Sequence, residues 1–349
     1  MTEHGKDGRQ LAEFVVGQTE SNLKRMKVAV VIPCYRVRDQ ILSVLDAIPA
    51  NVDKIICVDD ACPQNTGAHI KEACKDDRVE VLIHDKNQGV GGAVLTGYKA
   101  ALDAQMEVVV KLDGDGQMDP AIIPRFLTFL EAGEADYCKG NRFYRPATLT
   151  GMPASRIAGN AVLSFLTKLS SGYWQVFDPT NGYTAIHASA LRLLPLESID
   201  KTFFFESDML FRLNVIRAVV RDIPMTARYG DENSNLKIHR VVAPFIGKHL
   251  KNFGKRIVYN YYLRDFNLAS FEWPLGLALF SFGMVFGITQ WIGGAIRDEF
   301  ASAGTVMLAA LPIIVGLQML LSAFNFDIQN VPRTPLQRLL RDENPLRSS

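Results

Sequence analysis

Apolar positions in the first third of the chain alternate between strand-like and helix-like spacing. Val28–Ile32 is a continuous apolar run, mostly of β-branched residues, which is typical of a strand buried on both faces. Three more strand-like apolar runs follow, at 55–58, 79–83 and 108–112. Helical patterns lie between the runs, at 40–47, 68–74 and 92–104. Strands separated by single helices predict a mostly parallel α/β sheet with helices on both faces, in which ligands bind beyond the carboxyl ends of the strands.

The following region is less regular. Residues 153–171 have the spacing of an amphipathic helix, and the aromatic run beginning at Phe203 opens another helix. From 240 to 266, basic residues mix with apolar and aromatic ones, which favours helices lying along a membrane surface. A linker helix packed on the preceding domain would show a similar pattern, and both interpretations stay open.

Two long apolar runs without a charged residue come next, at 273–296 and 304–324. Each meets the length of about 20 residues that a helix needs to cross a bilayer core. Basic residues precede the first run and follow the second, so the positive-inside rule places the amino-terminal domain and the tail in the cytoplasm. The alternative, a buried helical hairpin in a soluble core, is disfavoured by two uncharged runs in tandem.

These patterns divide the chain into five segments. We expect an N-terminal extension without the apolar stretch of a secretory signal peptide, a catalytic domain, juxtamembrane amphipathic helices, a two-helix transmembrane anchor and a cytoplasmic tail. Their predicted bounds are 1–26, 27–235, 236–270, 271–326 and 327–349.

Composition adds two constraints. The 38 basic and 37 acidic residues nearly balance, which gives no case for a nucleic-acid-binding protein. The five cysteines are an odd number without a CxxC pair, so we expect reduced thiols in a cytosolic compartment. A zinc site built on Cys57 and Cys62 would lack a matching downstream pair.

Carboxylates follow two of the predicted strands. Asp113 and Asp115, two residues apart at a strand end, point toward one small volume and would repel each other unless a cation lies between them. A hard divalent cation such as Mg²⁺ or Mn²⁺ suits these oxygen ligands together with a diphosphate. A solvated Asp-Gly turn is the alternative. Asp59 and Asp60, at a neighbouring strand end, favour the metal interpretation.

A glycine-rich segment, 87–97, opens one of the predicted helices. Its free amides could bind an anion, although it lacks the Lys-Ser/Thr of a P-loop and matches GxGxxG imperfectly. Close packing of the helix on the sheet explains the glycines equally well.

Together these motifs resemble those of family-two glycosyltransferases of the GT-A fold, over roughly residues 27–330. The first four occur in the family's order: Val-Ile-Pro-Cys-Tyr (31–35), Val-Asp-Asp (58–60), Asn-x-Gly with following glycines (87–92) and Leu-Asp-Gly-Asp-Gly-Gln-x-Asp-Pro (112–120). Three later segments look like the dolichol-phosphate mannosyltransferase and polyprenyl-phosphate glycosyltransferase branch: Gly-Asn-Arg-Phe (140–143), Met-Pro-x-x-Arg (152–156) and Asp-Pro-Thr-Asn-Gly-Tyr (178–183).

The resemblance implies a donor site. Pro33, Tyr35 and Val58 would border the nucleotide base, and Asp60 would form a hydrogen bond with it. Asp113 would bind on the ribose side. Asp115 and Gln117 would hold a Mg²⁺ or Mn²⁺ ion. The sequence departs from the family at Arg36 and Val37, where an Asn-Glu pair is frequent. This departure leaves the identity of the nucleotide open.

The resemblance also implies an acceptor site, in which Arg142 and Arg156 grip a lipid phosphate beside Asn160. A planar guanidinium fork suits a phosphate, although both arginines could be ordinary surface charges. Asp178 is interpreted as an organiser or base on the acceptor side, or as the cap of a turn. Glu206 is interpreted as a donor-sugar contact, or as a partner of a helix dipole.

The predicted function is inverting, metal-dependent transfer of a hexose from a UDP- or GDP-linked donor to undecaprenyl or dolichyl phosphate, in cell-envelope glycan biosynthesis at the inner membrane. Asp115, Arg142, Arg156 and Asp178 are the expected catalytic residues. One alternative is a family-two enzyme acting on a glycolipid or polysaccharide hydroxyl, although the chain has no Arg-Trp pair of the processive synthases. A more remote one is a noncatalytic membrane scaffold. Gly283 and Gly287 form a small-xxx-small face that predicts a homo-oligomer.

Overall fold

A computed structural model describes residues 25–144, 154–226 and 238–340 of the protein, with side chains from 159 onward in the second range and from 243 onward in the third. Within these residues one sheet of seven strands has the order β3-β2-β1-β4-β6-β5-β7. The strands are β1 (Val28–Cys34), β2 (Lys54–Asp59), β3 (Val79–Ile83), β4 (Val108–Lys111), β5 (Tyr137–Asn141), β6 (Thr184–His187) and β7 (Val220–Pro224).

Helices follow most of the strands. They are α1 (Arg38–Asp46), α2 (Thr66–Ala73), α3 (Val90–Asp103), α4 (Ile123–Glu131), α5 (Ala154–Ser171), α6 (Ala188–Leu193), α7 (Phe205–Val215), α8 (Ile238–Val258), α9 (Leu268–Arg297), α10 (Ala303–Gln329) and α11 (Leu336–Leu339). Short 3₁₀ turns lie at Pro120–Ile122 and Leu196–Ser198, and a π-helix (Tyr259–Arg264) extends α8.

The mostly parallel α/β prediction is confirmed, with one addition. The first four strands are the ones that the apolar runs predict, and they pair in parallel. β6 runs antiparallel between β4 and β5, so the sheet is mixed. The sequence gives little sign of β5 because Lys139 and Gly140 interrupt its apolar pattern, although both are buried.

The core lies in two layers, one on each face of the sheet. Alternate strand residues such as Val31 and Val30 point into opposite layers, as expected for a strand buried on both faces. Helices α3, α6 and α7 cover one face, and α1, α2 and α4 cover the other. Two-sided burial explains why these strands read as continuous apolar runs.

Helices α9 and α10 form a hairpin and are long and apolar enough to cross a membrane by length and composition. Only 11% of the most apolar window of each is buried within the protein. Small residues bring the two helices together: a Cβ on Gly276 would lie 3.0 Å from the Gly316 carbonyl oxygen. A Cβ on Gly283 would lie 2.7 Å from the Ala309 oxygen, and one on Gly287 would contact Ala309 Cβ. The face expected to drive self-association therefore packs on α10 of the same chain.

A buried cluster around Asp327, near the end of α10, ties the hairpin to the rest of the protein. Arg256 of α8 donates to both carboxylate oxygens, at 2.6 and 3.0 Å. The Tyr261 hydroxyl and Trp174 Nε1 donate at 2.6 and 2.9 Å. Arg256 and Asp327 are almost completely buried. The cluster therefore joins α8, α10 and the segment after α5.

The segment after the hairpin, which we call the C-terminal strap (331–340), returns to the sheet. The carboxylate of Asp136, just before β5, accepts from the backbone N–H of Leu336 at 2.9 Å and of Gln337 at 3.2 Å. The Gln337 side chain donates to the Ala135 carbonyl at 2.7 Å, and Leu336 enters the core. The carboxyl end of the hairpin is thus held on the α/β domain. The amino end is held through the π-helix before α9, in which Asn260 Nδ2 donates to Asn214 Oδ1 of α7 at 2.9 Å.

Candidate active site

The carboxyl ends of β1, β2 and β4 lie side by side. β1 pairs in parallel with β2 and with β4, and Cys34 lies beside Asp59 in this register. Residues that follow the strands, among them Tyr35, Asp60 and Asp113, therefore share one edge of the sheet, the carboxyl edge. It is the edge at which the sequence predicts ligand binding.

The end of β1 presents an open aromatic surface. Tyr35 is 44% exposed, and the Arg36 guanidinium lies 5.4 Å from its ring centre. Pro33 is half-buried beside it, whereas Val58 is completely buried in the core. A base could therefore lie against Tyr35 and Pro33, while the Val58 side chain stays beneath the surface.

Asp60 is held by the glycine-rich segment. Its Oδ1 accepts from the Gln88 amide at 2.8 Å and contacts His84 Nδ1 at 2.7 Å, and its Oδ2 accepts from the Gly89 amide at 2.8 Å. The other ring nitrogen of His84 contacts the Thr96 hydroxyl at 2.9 Å. Asp60 is 3% exposed. Its carboxylate thus fixes the loop beside the proposed base site.

The glycine-rich segment is explained mainly by close approach. Gly91 and Gly92 donate their amides to the Lys201 carbonyl at 3.0 and 3.3 Å. A Cβ on Gly91 would lie 2.6 Å from the Asp200 carbonyl oxygen, and Gly89 has a φ of +87°. The amides at the start of α3 have partners within the protein, which favours the packing interpretation over an anion site.

The end of β4 carries a buried lysine between two carboxylates. Lys111 Nζ lies 3.0 Å from Asp113 Oδ1 and 3.1 Å from Glu206 Oε1. Burial alone lowers the pKa of Lys111, but the two carboxylates outweigh it and the pKa is raised above its usual value. The structure thus brings Asp113 and Glu206, predicted separately as donor contacts, to one cation.

Asp115 and Gln117 lie on the turn that follows. The Gln117 amide donates to Asp115 Oδ1 at 3.0 Å, and Gly116 between them has a φ of +76°. Both side chains are half-buried. Within the described residues no group of three or more His, Cys, Asp or Glu side chains could hold a metal ion.

Arg142 and Asp178 form a two-point ion pair. Arg142 Nε lies 2.7 Å from Oδ2 and Nη2 lies 2.7 Å from Oδ1, and the Arg142 amide donates to Oδ2 at 3.1 Å. Asp178 is fully buried, whereas the arginine side chain is 26% exposed. The two residues that the sequence assigns to the acceptor side are thus in direct contact.

One loop connects this pair to the donor carboxylates. Asp178 begins it, and four residues later Gly182 packs on Lys111 and Asp113, since a Cβ there would lie 2.7 Å from Asp113 Oδ2. Four residues span at most about 14 Å. One short loop therefore joins the Arg142–Asp178 pair to Lys111 and Asp113.

The remaining acceptor residues lie on α5. Arg156 is in its first turn, and its side chain falls outside the described residues. Asn160 follows one turn later, with its Nδ2 buried and without a hydrogen-bond partner in the described part of the chain. The structure places these residues on one helix, and their contact with Arg142 stays a prediction.

Comparison with known proteins identifies this arrangement. Residues 29–194 match the family described as Glycosyl transferase family 2. The chain is 30% identical over 207 residues to an undecaprenyl-phosphate mannosyltransferase of Micrococcus luteus, covering 58% of the chain and 83% of that protein. It is 29% identical over 216 residues to a UDP-N-acetylglucosamine–dolichyl-phosphate N-acetylglucosaminyltransferase of Methanococcus voltae, covering 58% and 86%. The chain belongs to glycosyl transferase family 2.

The fold of this glycosyltransferase agrees with that assignment. Glucosyl-3-phosphoglycerate synthase of Mycobacterium tuberculosis, solved with UDP, superposes with a TM-score of 0.51 at 17% identity. The match covers 71% of the chain and 86% of the synthase. A likeness at this identity shows the fold alone, and it confirms the predicted GT-A architecture.

Sequence reasoning about the glycosyltransferase missed a group of buried polar residues. Asp222 of β7 accepts from Asn141 Nδ2 at 2.7 Å and from the Phe177 amide at 3.0 Å, so it holds the residues just before Arg142 and Asp178. Burial raises the pKa of Asp222 to about 6. Its position in an edge strand gave no sign of this role, because the contacts span 45 to 81 positions of sequence.

Lys139 is a second residue of this kind. It is fully buried in β5 and donates to the Asn181 carbonyl in the connecting loop. Burial lowers its pKa to about 8, against the opposing effect of nearby carboxylates. A lysine within an otherwise apolar strand is the sequence signal that could have indicated this residue, and Lys111 in β4 gives the same signal.

Proposed function

We propose that the enzyme transfers a hexose from a nucleoside diphosphate sugar to a polyprenyl phosphate at a membrane surface. The carrying observation is the Asp178–Gly182 loop, which contacts Arg142 at one end and Asp113 at the other. It supports a site in which an acceptor phosphate and a donor sugar meet. The names of the two relatives, whose acceptors are undecaprenyl phosphate and dolichyl phosphate, support the same acceptor class.

On the donor side, the base would lie against Tyr35 and Pro33, with the loop fixed by Asp60 beside it. Asp113 would bind the ribose and Glu206 the sugar. These assignments follow the family resemblance, and the shared edge of β1, β2 and β4 supports them.

Asp115 and Gln117 would hold Mg²⁺ or Mn²⁺. Their oxygens are of the hard type that these ions prefer, and the donor diphosphate would supply further oxygen ligands. When bound, the ion neutralises the charge that develops on the leaving nucleoside diphosphate. Solved synthase structures with UDP and Mn²⁺ at TM-score 0.50 are compatible with this metal class.

On the acceptor side, the exposed part of the Arg142 guanidinium would contact the lipid phosphate together with Arg156. A phosphate monoester is largely dianionic near neutral pH, since its second pKa is about 6. Its oxygen can therefore attack the anomeric carbon while the bond from that carbon to the donor diphosphate breaks, which inverts the configuration. Alignment by the arginines, rather than a strong base, would be the main requirement.

The alternative with a hydroxyl acceptor needs a general base. Asp178 and Glu206 are the candidates. Both oxygens of Asp178 accept hydrogen bonds from Arg142 and it is fully buried, and Glu206 Oε1 accepts from Lys111 Nζ at 3.1 Å. This engagement favours a phosphate acceptor, for which Asp178 orients the arginine.

The hairpin supports a membrane location. We propose that α9 and α10 span the bilayer, that α8 lies at its surface, and that the α/β domain and the tail face the cytoplasm. Because the π-helix before α9 and the C-terminal strap after α10 both contact the α/β domain, an even number of crossings is the simplest arrangement. The five predicted segments, with the anchor at 271–326, are part of this proposal.

A donor panel tests the proposal. Membranes or detergent-purified enzyme are incubated with undecaprenyl or dolichyl phosphate and with labelled UDP-glucose, UDP-N-acetylglucosamine or GDP-mannose. We expect one donor to give a lipid-phosphate sugar, with activity lost on chelation and restored by Mg²⁺ or Mn²⁺. Undiminished activity of Asp115→Ala in the presence of chelator would contradict the metal role.

A further inference from the structure

Lys111 occupies an unusual position for a lysine. It is the last residue of β4, is 1% exposed and pairs across the sheet with Thr184. A charged side chain at such a depth is costly unless it is paired and hydrogen-bonded. Its two partners, Asp113 and Glu206, come from the strand end and from α7.

The two carboxylate side chains are more exposed to solvent than the lysine between them. The side chain of Glu206 is 12% exposed and that of Asp113 is 29% exposed, against 2% for Lys111. The lysine thus lies behind both carboxylates and leaves them facing the carboxyl edge. A buried ion pair of this kind gives little net stability compared with apolar packing, so stability alone does not account for a lysine at this position.

Gly182 closes the arrangement from the other side. A Cβ on this residue would collide with Lys111 Nζ and lie 2.7 Å from Asp113 Oδ2. Its φ is not in the left-handed region, so contact and not backbone conformation requires glycine here. The lysine and its carboxylate are therefore confined between β4, α7 and the Asp178–Gly182 loop.

We propose that Lys111 is a positioning residue for the donor: it fixes Asp113 and Glu206 in one orientation and offsets their charge where a nucleoside diphosphate sugar binds. The inference rests on the proposed function and deepens it. Without the lysine, Asp113 and Glu206 would repel each other and the donor diphosphate, and neither carboxylate would have a fixed direction. Because Lys111 lies behind both carboxylates, it acts on the donor through them.

Lys111→Met tests this role, since methionine keeps much of the length and removes the charge. With Mg²⁺ present, calorimetry gives the Kd of UDP and GDP, and turnover gives KM for donor and acceptor. We expect donor Kd and KM to rise about tenfold or more, as for a lost charged hydrogen bond, while KM for polyprenyl phosphate is unchanged. Lys54→Met is the matched control, because Lys54 pairs with Glu80 at the start of β2, the end away from the carboxyl edge. We expect this variant to bind the donor as the wild type does.

A second pair of variants distinguishes positioning from folding. Gly182→Ala keeps the lysine but displaces it, and we expect weaker donor binding in the same direction. In a Glu206→Gln background the effect of Lys111→Met becomes smaller than in the wild type, because the two residues act together. If Lys111→Met alone does not fold, the donor Kd of Gly182→Ala, which keeps the lysine, carries the test.

The outcomes separate two failures. A wild-type enzyme that binds no nucleoside diphosphate overturns the proposed function itself. A wild type that binds, with folded Lys111→Met or Gly182→Ala binding equally well, overturns the role of Lys111 and leaves the proposed function standing. Thermal unfolding of each variant establishes that it is folded.

Discussion

Arg142 and Asp178 meet in a two-point contact, with Nε–Oδ2 and Nη2–Oδ1 distances of 2.7 Å each. Two parallel hydrogen bonds fix the plane of the guanidinium as well as its position. The carboxylate is completely buried and the arginine is not, so Asp178 holds an arginine whose exposed part faces outward. This relationship gives Asp178 a role that does not require it to take up a proton.

Arg142→Lys tests the geometry of this contact. A lysine keeps the charge but cannot form the two-point contact, so we expect kcat/KM for the lipid phosphate to fall by about ten- to a hundredfold. Donor Kd, measured by calorimetry, should stay within about twofold, since Arg142 is placed on the acceptor side. An equal loss of donor and acceptor binding would contradict that placement.

Asp60 offers a test of how the donor loop is held. Asp60→Ala removes the acceptor for the Gln88 and Gly89 amides, and we expect donor Kd to rise at least about tenfold. His84→Ala removes the His84 side chain, which contacts Asp60 but is not among the residues placed at the base. If Asp60 acts by fixing the loop, His84→Ala also weakens donor binding; a silent His84→Ala would assign Asp60 to direct contact with the base.

The buried Asp222 predicts a pH effect on stability. Its folded pKa of about 6 lies above the usual value of 3.8, so between these pH values the folded state binds more protons than the unfolded state. Stability therefore falls as pH rises through this window, and the full cost is present above pH 6. At about 1.4 kcal/mol per pKa unit, Asp222→Asn should stabilise the enzyme by roughly 3 kcal/mol at pH 7.5 and by roughly 1 kcal/mol at pH 4.5.

Asparagine is the matched replacement at this position because its single oxygen can accept from both Asn141 and the Phe177 amide, as Oδ2 does now. Unfolding midpoints at the two pH values give the comparison. A stability difference that does not change with pH would contradict the raised pKa.

The C-terminal strap depends on Asp136. Asp136→Ala leaves the amides of Val219, Leu336 and Gln337 without their acceptor, and we expect a loss of about 2–4 kcal/mol in stability. The strap should also become sensitive to trypsin at Arg333 and Arg338. Glu134→Ala, an exposed carboxylate two residues away, is the control, and equal cleavage of both variants would contradict the role of Asp136.

How much of this followed from the sequence depends on the range of the interactions. Val28–Ile32 and its parallel neighbours were readable because two-sided burial leaves a local apolar pattern. The positions of Asp113 and Asp115 after such a strand predicted the edge at which they lie. The two apolar runs predicted helices that the structure contains, at Leu268–Arg297 and Ala303–Gln329.

Contacts between distant residues could not be read in this way. Glu206 had a local explanation as a helix-dipole partner, and only the fold shows that it meets Lys111, 95 positions earlier. Gly283 suggested an intermolecular face because the sequence does not say which helix it meets. In both cases the local pattern left the contact partner undetermined.

The central claim is that the acceptor is a lipid phosphate. Transfer of labelled sugar to undecaprenyl phosphate and to undecaprenol, equal in chain length and presented in the same vesicles, tests it most directly. We predict that only the phosphate is glycosylated and that Arg142→Lys reduces this reaction. Glycosylation of the alcohol, with the phosphate unreactive, would contradict the account.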